Sequence, residues 1–169
     1  MRTARHTSAF LVYLVSIGIA PLGAPALRAV AQTATADSAA ESAKVAFAER
    51  VAVRALRFAE HDARGLAASR SDFTDSAWAS FMKQFDGFLD ATGAPQFSSI
   101  FTPAGPAVVV GGREGAVHVK IPGDLIQTSR VTRATYRVAV DVEVSGAPLK
   151  VQRLAWTTCV GESAKRYCM

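Results

Sequence analysis

Residues 135–144 read TYRVAVDVEV. Tyr136, Val138, Val140, Val142 and Val144 fall on one parity, and Arg137, Ala139, Asp141 and Glu143 on the other. Successive side chains of a strand point to opposite faces. This alternation therefore describes a half-buried antiparallel strand with one apolar and one polar face. A sheet with one apolar face needs a cover, which the rest of the chain has to supply.

Beyond that strand, Gly146-Ala147-Pro148 gives a turn. Leu149 and Val151 then share one parity, while Leu154, Trp156 and Val160 share the other. One extra residue near Gln152-Arg153, a β-bulge, reconciles the two sets. Before it, Val108-Val109-Val110, the Gly-rich run Gly111-Gly112-Arg113-Glu114-Gly115, and Val117, Val119 and Ile121 read as strand, turn, strand. Pro122-Gly123 is expected to break the second of these.

The cover lies earlier in the chain. Residues 69–85 read SRSDFTDSAWASFMKQF. The Thr74 hydroxyl is placed to accept a first-turn N–H as a helix cap. Phe73 before the cap and Trp78 after it form a hydrophobic staple, and Asp75 suits the positive end of the helix dipole. Trp78, Phe81, Met82, Phe85, Phe88 and Leu89 follow at helical spacing, with Gly93 and Pro95 as the stop. A second helix is expected over Lys44 to Ala68. Its apolar stripe is Ala48, Val51, Ala55, Phe58 and Ala59, and Gly65 is a stop or a bend. Helices first and strands afterwards give an α+β domain, with helices on one face of an antiparallel sheet.

The front of the chain reads differently. Arg2 and Arg5 precede the apolar run Ala9–Ala20, Pro21 ends it, and Ala29-Val30-Ala31 has the small-x-small form of a cleavage site before Gln32. That is the order of a secretory signal. Residues 7–27 carry no charge, so an uncleaved inner-membrane anchor is the alternative. The domain plan is a signal over 1–31, a flexible Ala/Ser/Thr-rich leader over 32–43, and one α+β domain over 44–169. The whole chain has formal charge +5. Without Arg2, Arg5 and Arg28 its 19 basic residues fall to 16 against 14 acidic ones, or +2. A nucleic-acid partner loses its electrostatic basis with that change. An exported chain lies where disulfides persist, and Cys159 and Cys168 would close a short C-terminal loop.

Three segments together carry a family resemblance: AERVAVRALRFAEHDARGL (48–66), SDFTDSAWASFMKQFDGFLDATGAPQF (71–97) and TYRVAVDVEV (135–144). In this order they resemble the DotI/IcmL/TraM family of type IVB secretion and conjugation components. The resemblance implies a periplasmic domain of nuclear-transport-factor-2-like fold, with helices packed on a curved antiparallel sheet. It also implies protein partners in a cell-envelope complex, the option of homo-oligomers, and no catalytic residues or cofactors. The short front and the two C-terminal cysteines depart from the family pattern.

The residues themselves offer little chemistry. No HExxH, GxSxG or phosphate-binding loop occurs, and two cysteines make no zinc set. His61 and Asp62 are helical neighbours that diverge by about 100°. Asp141 and Glu143 share a strand face, as surface pairs commonly do. Arg130, Arg133 and Arg137, with Lys120 nearby, are the candidate contact for an acidic partner surface. The reading is a non-enzymatic assembly or adaptor protein. A small-molecule-binding or enzymatic protein of the same cone-shaped fold is the alternative, and it requires His118, Asp141 and Tyr136 to meet in one enclosed cavity.

Overall fold

The computed structural model describes residues 24–113 and 115–160, with side chains from Asp37 onward. The chain divides into two units, Met1–Thr35 and Ala36–Met169, and the sheet, its core and its cover belong to the second. In chain order the helices are α1 (Ala24–Ala55), α2 (Ala63–Ala67) and α3 (Asp75–Met82). The strands are β1 (Ser98–Pro103), β2 (Val108–Gly111), β3 (Val117–Thr128), β4 (Arg133–Ser145) and β5 (Lys150–Thr158). The result is an α+β fold with an open antiparallel sheet, ordered β1-β3-β4-β5, and β2 paired to β3 on the same side as β1.

β4 is the spine of the sheet. Val138, Val140, Val142 and Val144 have no exposed surface, while Asp141 and Glu143 are half-exposed on the other face. The bulge in β5 falls where the parity switch requires it. Glu143 pairs with Arg153 and Val144 with Val151, so Gln152 is the extra residue. The core joins these valines to Val119, Ile121 and Leu125 of β3, to Ala48, Val51, Ala52 and Ala55 of α1, and to Ala77 and Phe81 of α3. Phe81 is fully buried, which contributes about 3 kcal/mol in area removed from water.

Four local expectations change. First, β3 runs unbroken through Pro122-Gly123. The Pro122 carbonyl accepts the Ala104 N–H at 2.9 Å, so this residue's backbone groups face the gap where β1 ends and β2 begins. A missing N–H costs no ladder bond there. Gly123 is needed because a Cβ would lie 2.6 Å from the Thr102 carbonyl and 2.7 Å from Phe101 Cζ.

Second, the expected helix over Lys44–Ala68 stops at Ala55. Phe58 leaves it to exchange two backbone bonds with Ser99 of β1, at 3.1 and 2.9 Å. His61 turns the chain with φ 61, and Asp62 caps α2 by accepting the Gly65 N–H at 2.8 Å. Gly65 is therefore inside a helix and does not stop one. Third, residues 32–43, read as a flexible leader, lie within α1. Alanine is the strongest helix former, and this stretch is rich in it. Residues 37–43 are exposed and burial starts at Lys44, where the packed helix was expected to begin.

Fourth, α3 is shorter than its apolar stripe. The cap is as read: Thr74 accepts the Ala77 N–H at 3.3 Å, and Phe73 and Trp78 meet with ring centroids 5.4 Å apart. The helix nevertheless ends at Met82, a 3-10 turn follows over Lys83–Phe85, and Gly87 turns with φ 82. Phe88 emerges 58% exposed and outside the core.

Chain segments cover two of the sheet's margins. Phe58 bridges to β1. Thr74 N–H bonds the Val151 carbonyl of β5 at 3.0 Å, and Gln84 Nε2 bonds that of Leu154 at 2.9 Å. Among the described residues nothing bonds the outer edge of β2, where Val108, Val109 and Val110 are all exposed.

Candidate functional site

The basic cluster expected at Arg130, Arg133 and Arg137 does not form one free patch. Antiparallel pairing sets Arg137 opposite Asp124, and its Nε lies 2.8 Å from Asp124 Oδ1. Arg130 Nε reaches Glu60 Oε1 at 3.8 Å. Arg133, opposite Thr128 at the start of β4, is exposed and has no acidic partner among the described residues. Of the two cysteines, Cys168 lies outside the described residues. Cys159 follows β5 and donates its backbone N–H to the Arg137 carbonyl at 2.8 Å.

The acids near α3 serve the fold. Asp72 forms an ion pair with Arg54 of α1, and Asp75 meets Arg70 at 2.7 Å. His61 is exposed. Its ring approaches Glu60 Oε1 at 3.4 Å and Asp90 Oδ2 at 3.8 Å, and its backbone N–H donates to the Pro95 carbonyl. Asp90 organises the turn after α3. Its Oδ1 accepts from the Thr92 hydroxyl at 2.6 Å, the Thr92 N–H at 2.8 Å and the Ala94 N–H at 3.0 Å. Those bonds, the hydroxyl's foremost, hold its carboxyl below its ordinary pKa.

His118 Nε2 lies 3.1 Å from Asp141 Oδ1, across β3 and β4 on the sheet's half-exposed polar face. Tyr136 has the parity of Val138 and Val140, on the opposite face. The three residues required for an enzymatic cavity therefore diverge. Among the described residues no group of three His, Cys, Asp or Glu side chains could hold a metal ion.

A cleft of about 510 Å³ does open on the apolar parity, where β3 and β4 run past the cover of α3. Phe85, Phe97 and Trp156 line its apolar part, Tyr136 and Gln127 its sheet side, and Gln84 of the 3-10 turn with Phe88 and Gln96 from the segment between that turn and β1 its other side. Among the described residues no acid, lysine, arginine or histidine lines it. Sequence reading missed this place, although one signal was present. Gln127 shares the parity of Val119, Ile121 and Leu125, so an amide occupies a slot that the strand otherwise fills with core residues.

No protein-family model matches the chain, and no curated protein matches it. Solved structures do. An IcmL-like type IV secretion system protein from Legionella pneumophila superposes with TM-score 0.57 at 9% identity, over 69% of this chain and 91% of that one. The periplasmic domain of DotI superposes with TM-score 0.57 at 14% identity, over 69% of this chain and 94% of that one. At such identities the likeness is one of fold, and at that level the resemblance carried by residues 48–66, 71–97 and 135–144 holds.

Proposed function

We propose that the chain is an exported, non-enzymatic assembly or adaptor protein of a cell-envelope type IV secretion or conjugation apparatus. It works by protein–protein contact. The observation that carries this reading is that the fold spans nearly the whole of two secretion-system domains, 91% and 94% of their lengths. The bare β2 edge supports the mode of action. Three exposed valines on an uncapped strand are what an added strand from a partner requires, and such an edge is a liability in a protein that works alone.

In this proposal residues 1–31 direct export and are removed before Gln32, or stay as an anchor. Among the described residues no helix is long and apolar enough to cross a membrane. A bridge between Cys159 and Cys168 closes the C-terminal loop and stabilises it by about 2–3 kcal/mol. Arg133, exposed and without an acidic partner among the described residues, is the remaining basic contact of its cluster, and homo-oligomers are part of the proposal. The enzymatic alternative has lost the constellation it required, because His118 and Asp141 face away from Tyr136.

The test is site-specific photocrosslinking at Val110 in intact envelopes of the native host. Adducts with secretion or conjugation components support the proposal, and envelopes that yield no such adduct reject it.

A further inference from the structure

The cleft bounded by Phe85, Trp156 and Tyr136 has no part in the adaptor reading. We infer that it is a binding site for a neutral saccharide bearing acetamido groups.

The first argument is charge. Among the described residues no ionised side chain lines the cleft, so a phosphate, carboxylate or ammonium ligand would leave water with no counter-ion from them, which is strongly unfavourable. The second is the apolar wall. Buried Phe85 packs behind Trp156 at 5.7 Å between centroids and behind Phe97 at 6.3 Å, fixing these two half-buried rings as a wall for the C–H face of a sugar. Phe88, 58% exposed, stands edge-on to Phe97 at 6.0 Å beside them.

The third argument is the polar groups. Gln84 and Gln96 spend their Nε2 donors on the Leu154 and Leu89 carbonyls, at 2.9 and 3.2 Å, which fixes their orientation and leaves their amide oxygens as acceptors. Among the described residues the Gln127 amide, the Tyr136 hydroxyl and the Trp156 indole N–H have no side-chain hydrogen bond. Among the described residues the cleft thus presents neutral amide, hydroxyl and indole N–H groups, which complement acetamido and hydroxyl groups. Its volume of about 510 Å³ suits a small ligand.

The test is an NMR titration of the full chain, ¹⁵N-labelled, with N-acetylglucosamine and with its β-1,4-linked trimer. The side-chain resonances of Gln127 and Trp156 should shift and saturate, while the indole of Trp78, packed on Phe73 and Phe81, should stay. Tighter binding of the trimer marks a polymeric glycan as the source, and equal binding marks the free sugar. Gln127→Ala and Tyr136→Phe, checked for retained fold by circular dichroism, should each weaken binding about five-fold, as the loss of one hydrogen bond does. The proposal is overturned if neither sugar gives saturable shifts, if Trp78 moves as much as Trp156, or if both variants bind as tightly as the wild type. It is overturned equally if a neutral Phe-containing peptide moves these resonances and the sugars do not. Crosslinking at Val110 is read separately, so failure here leaves the adaptor proposal standing.

Discussion

Substituting Gly123 by alanine tests the reason β3 passes through Pro122-Gly123 without a break. The backbone of Gly123 is not in the left-handed region, so alanine is conformationally permitted. On backbone freedom alone the change would stabilise the protein by about 0.4–1 kcal/mol, through the unfolded chain. The new methyl would sit 2.6 Å from the Thr102 carbonyl and 2.7 Å from Phe101 Cζ, both inside van der Waals contact. Neither neighbour yields freely. Thr102 is held in register by Asp124, and Phe101 is 2% exposed within the core. Overpacking of this kind costs about 1–3 kcal/mol. The net expectation is destabilisation by about 1–2 kcal/mol, or a fall in Tm of about 4–8 °C for a domain of this size. Urea denaturation followed by circular dichroism measures it, with an unchanged m-value showing that the unfolded state is unaffected. A second arm isolates the cause. Phe101→Leu removes the ring atoms that clash, so its cost should be smaller in the Gly123→Ala background, with a coupling of at least about 0.5 kcal/mol. A neutral or stabilising Gly123→Ala, or strict additivity of the pair, would refute the steric account.

Thr74→Ala should cost about 1 kcal/mol by leaving the Ala77 N–H uncapped, and Thr74→Ser should recover most of it; chemical denaturation of both variants is the check. The Asp90 carboxyl, observed by ¹³C NMR, should titrate below the ordinary value of about 3.9. Its folded pKa is depressed, so its contribution to the turn is complete above the ordinary value and lost as pH falls through the lowered one. Asp90→Asn should accordingly flatten the acid limb of the stability profile. Val110→Lys should leave stability within about 0.5 kcal/mol, since Val110 is exposed. Light scattering should also show reduced self-association, because a charge blunts the open β2 edge; unchanged association would exclude β2 as the surface of self-association.

How far the sequence carried the fold depends on the distance over which each feature is decided. The alternation of β4, the cap at Thr74 and the extra residue at Gln152 are local patterns, and each was legible. The end of α1 was not. No glycine or proline marks residues 56–58, and the helix stops because Phe58 finds Ser99 of β1. Tertiary pairing there outweighs a helical pattern that continues. Pro122-Gly123 misled for the same reason, since a proline is harmless only when its backbone faces a gap in the neighbouring strand, and a single segment does not show that gap. The arginine cluster dissolved once register was known, because the β3–β4 pairing sets Asp124 against Arg137. The cleft was half-legible. Gln127 on an apolar parity marked a break in the core, while the aromatic floor opposite came from residues whose helical stripe had been read as running on through Phe88.

The two surfaces to which function is attached lie at opposite ends of one strand. Val109 of β2 pairs with Val119 of β3, and the cleft's Gln127 lies 127 − 119 = 8 residues further along the same strand. At about 3.3 Å per residue that is about 26 Å, well beyond the range in which substitutions interact directly. Lesions at the two places should therefore act independently. Val110→Lys should remove partner adducts formed from a probe at the neighbouring exposed Val108 and leave saccharide shifts at Gln127 and Trp156 intact, while Gln127→Ala should do the reverse. The double variant should show both losses, each of the size seen singly. If instead Gln127→Ala, still folded, abolished adducts at Val110, the two ends of β3 would belong to one coupled surface. Contact and ligand binding would then have to be treated as a single function.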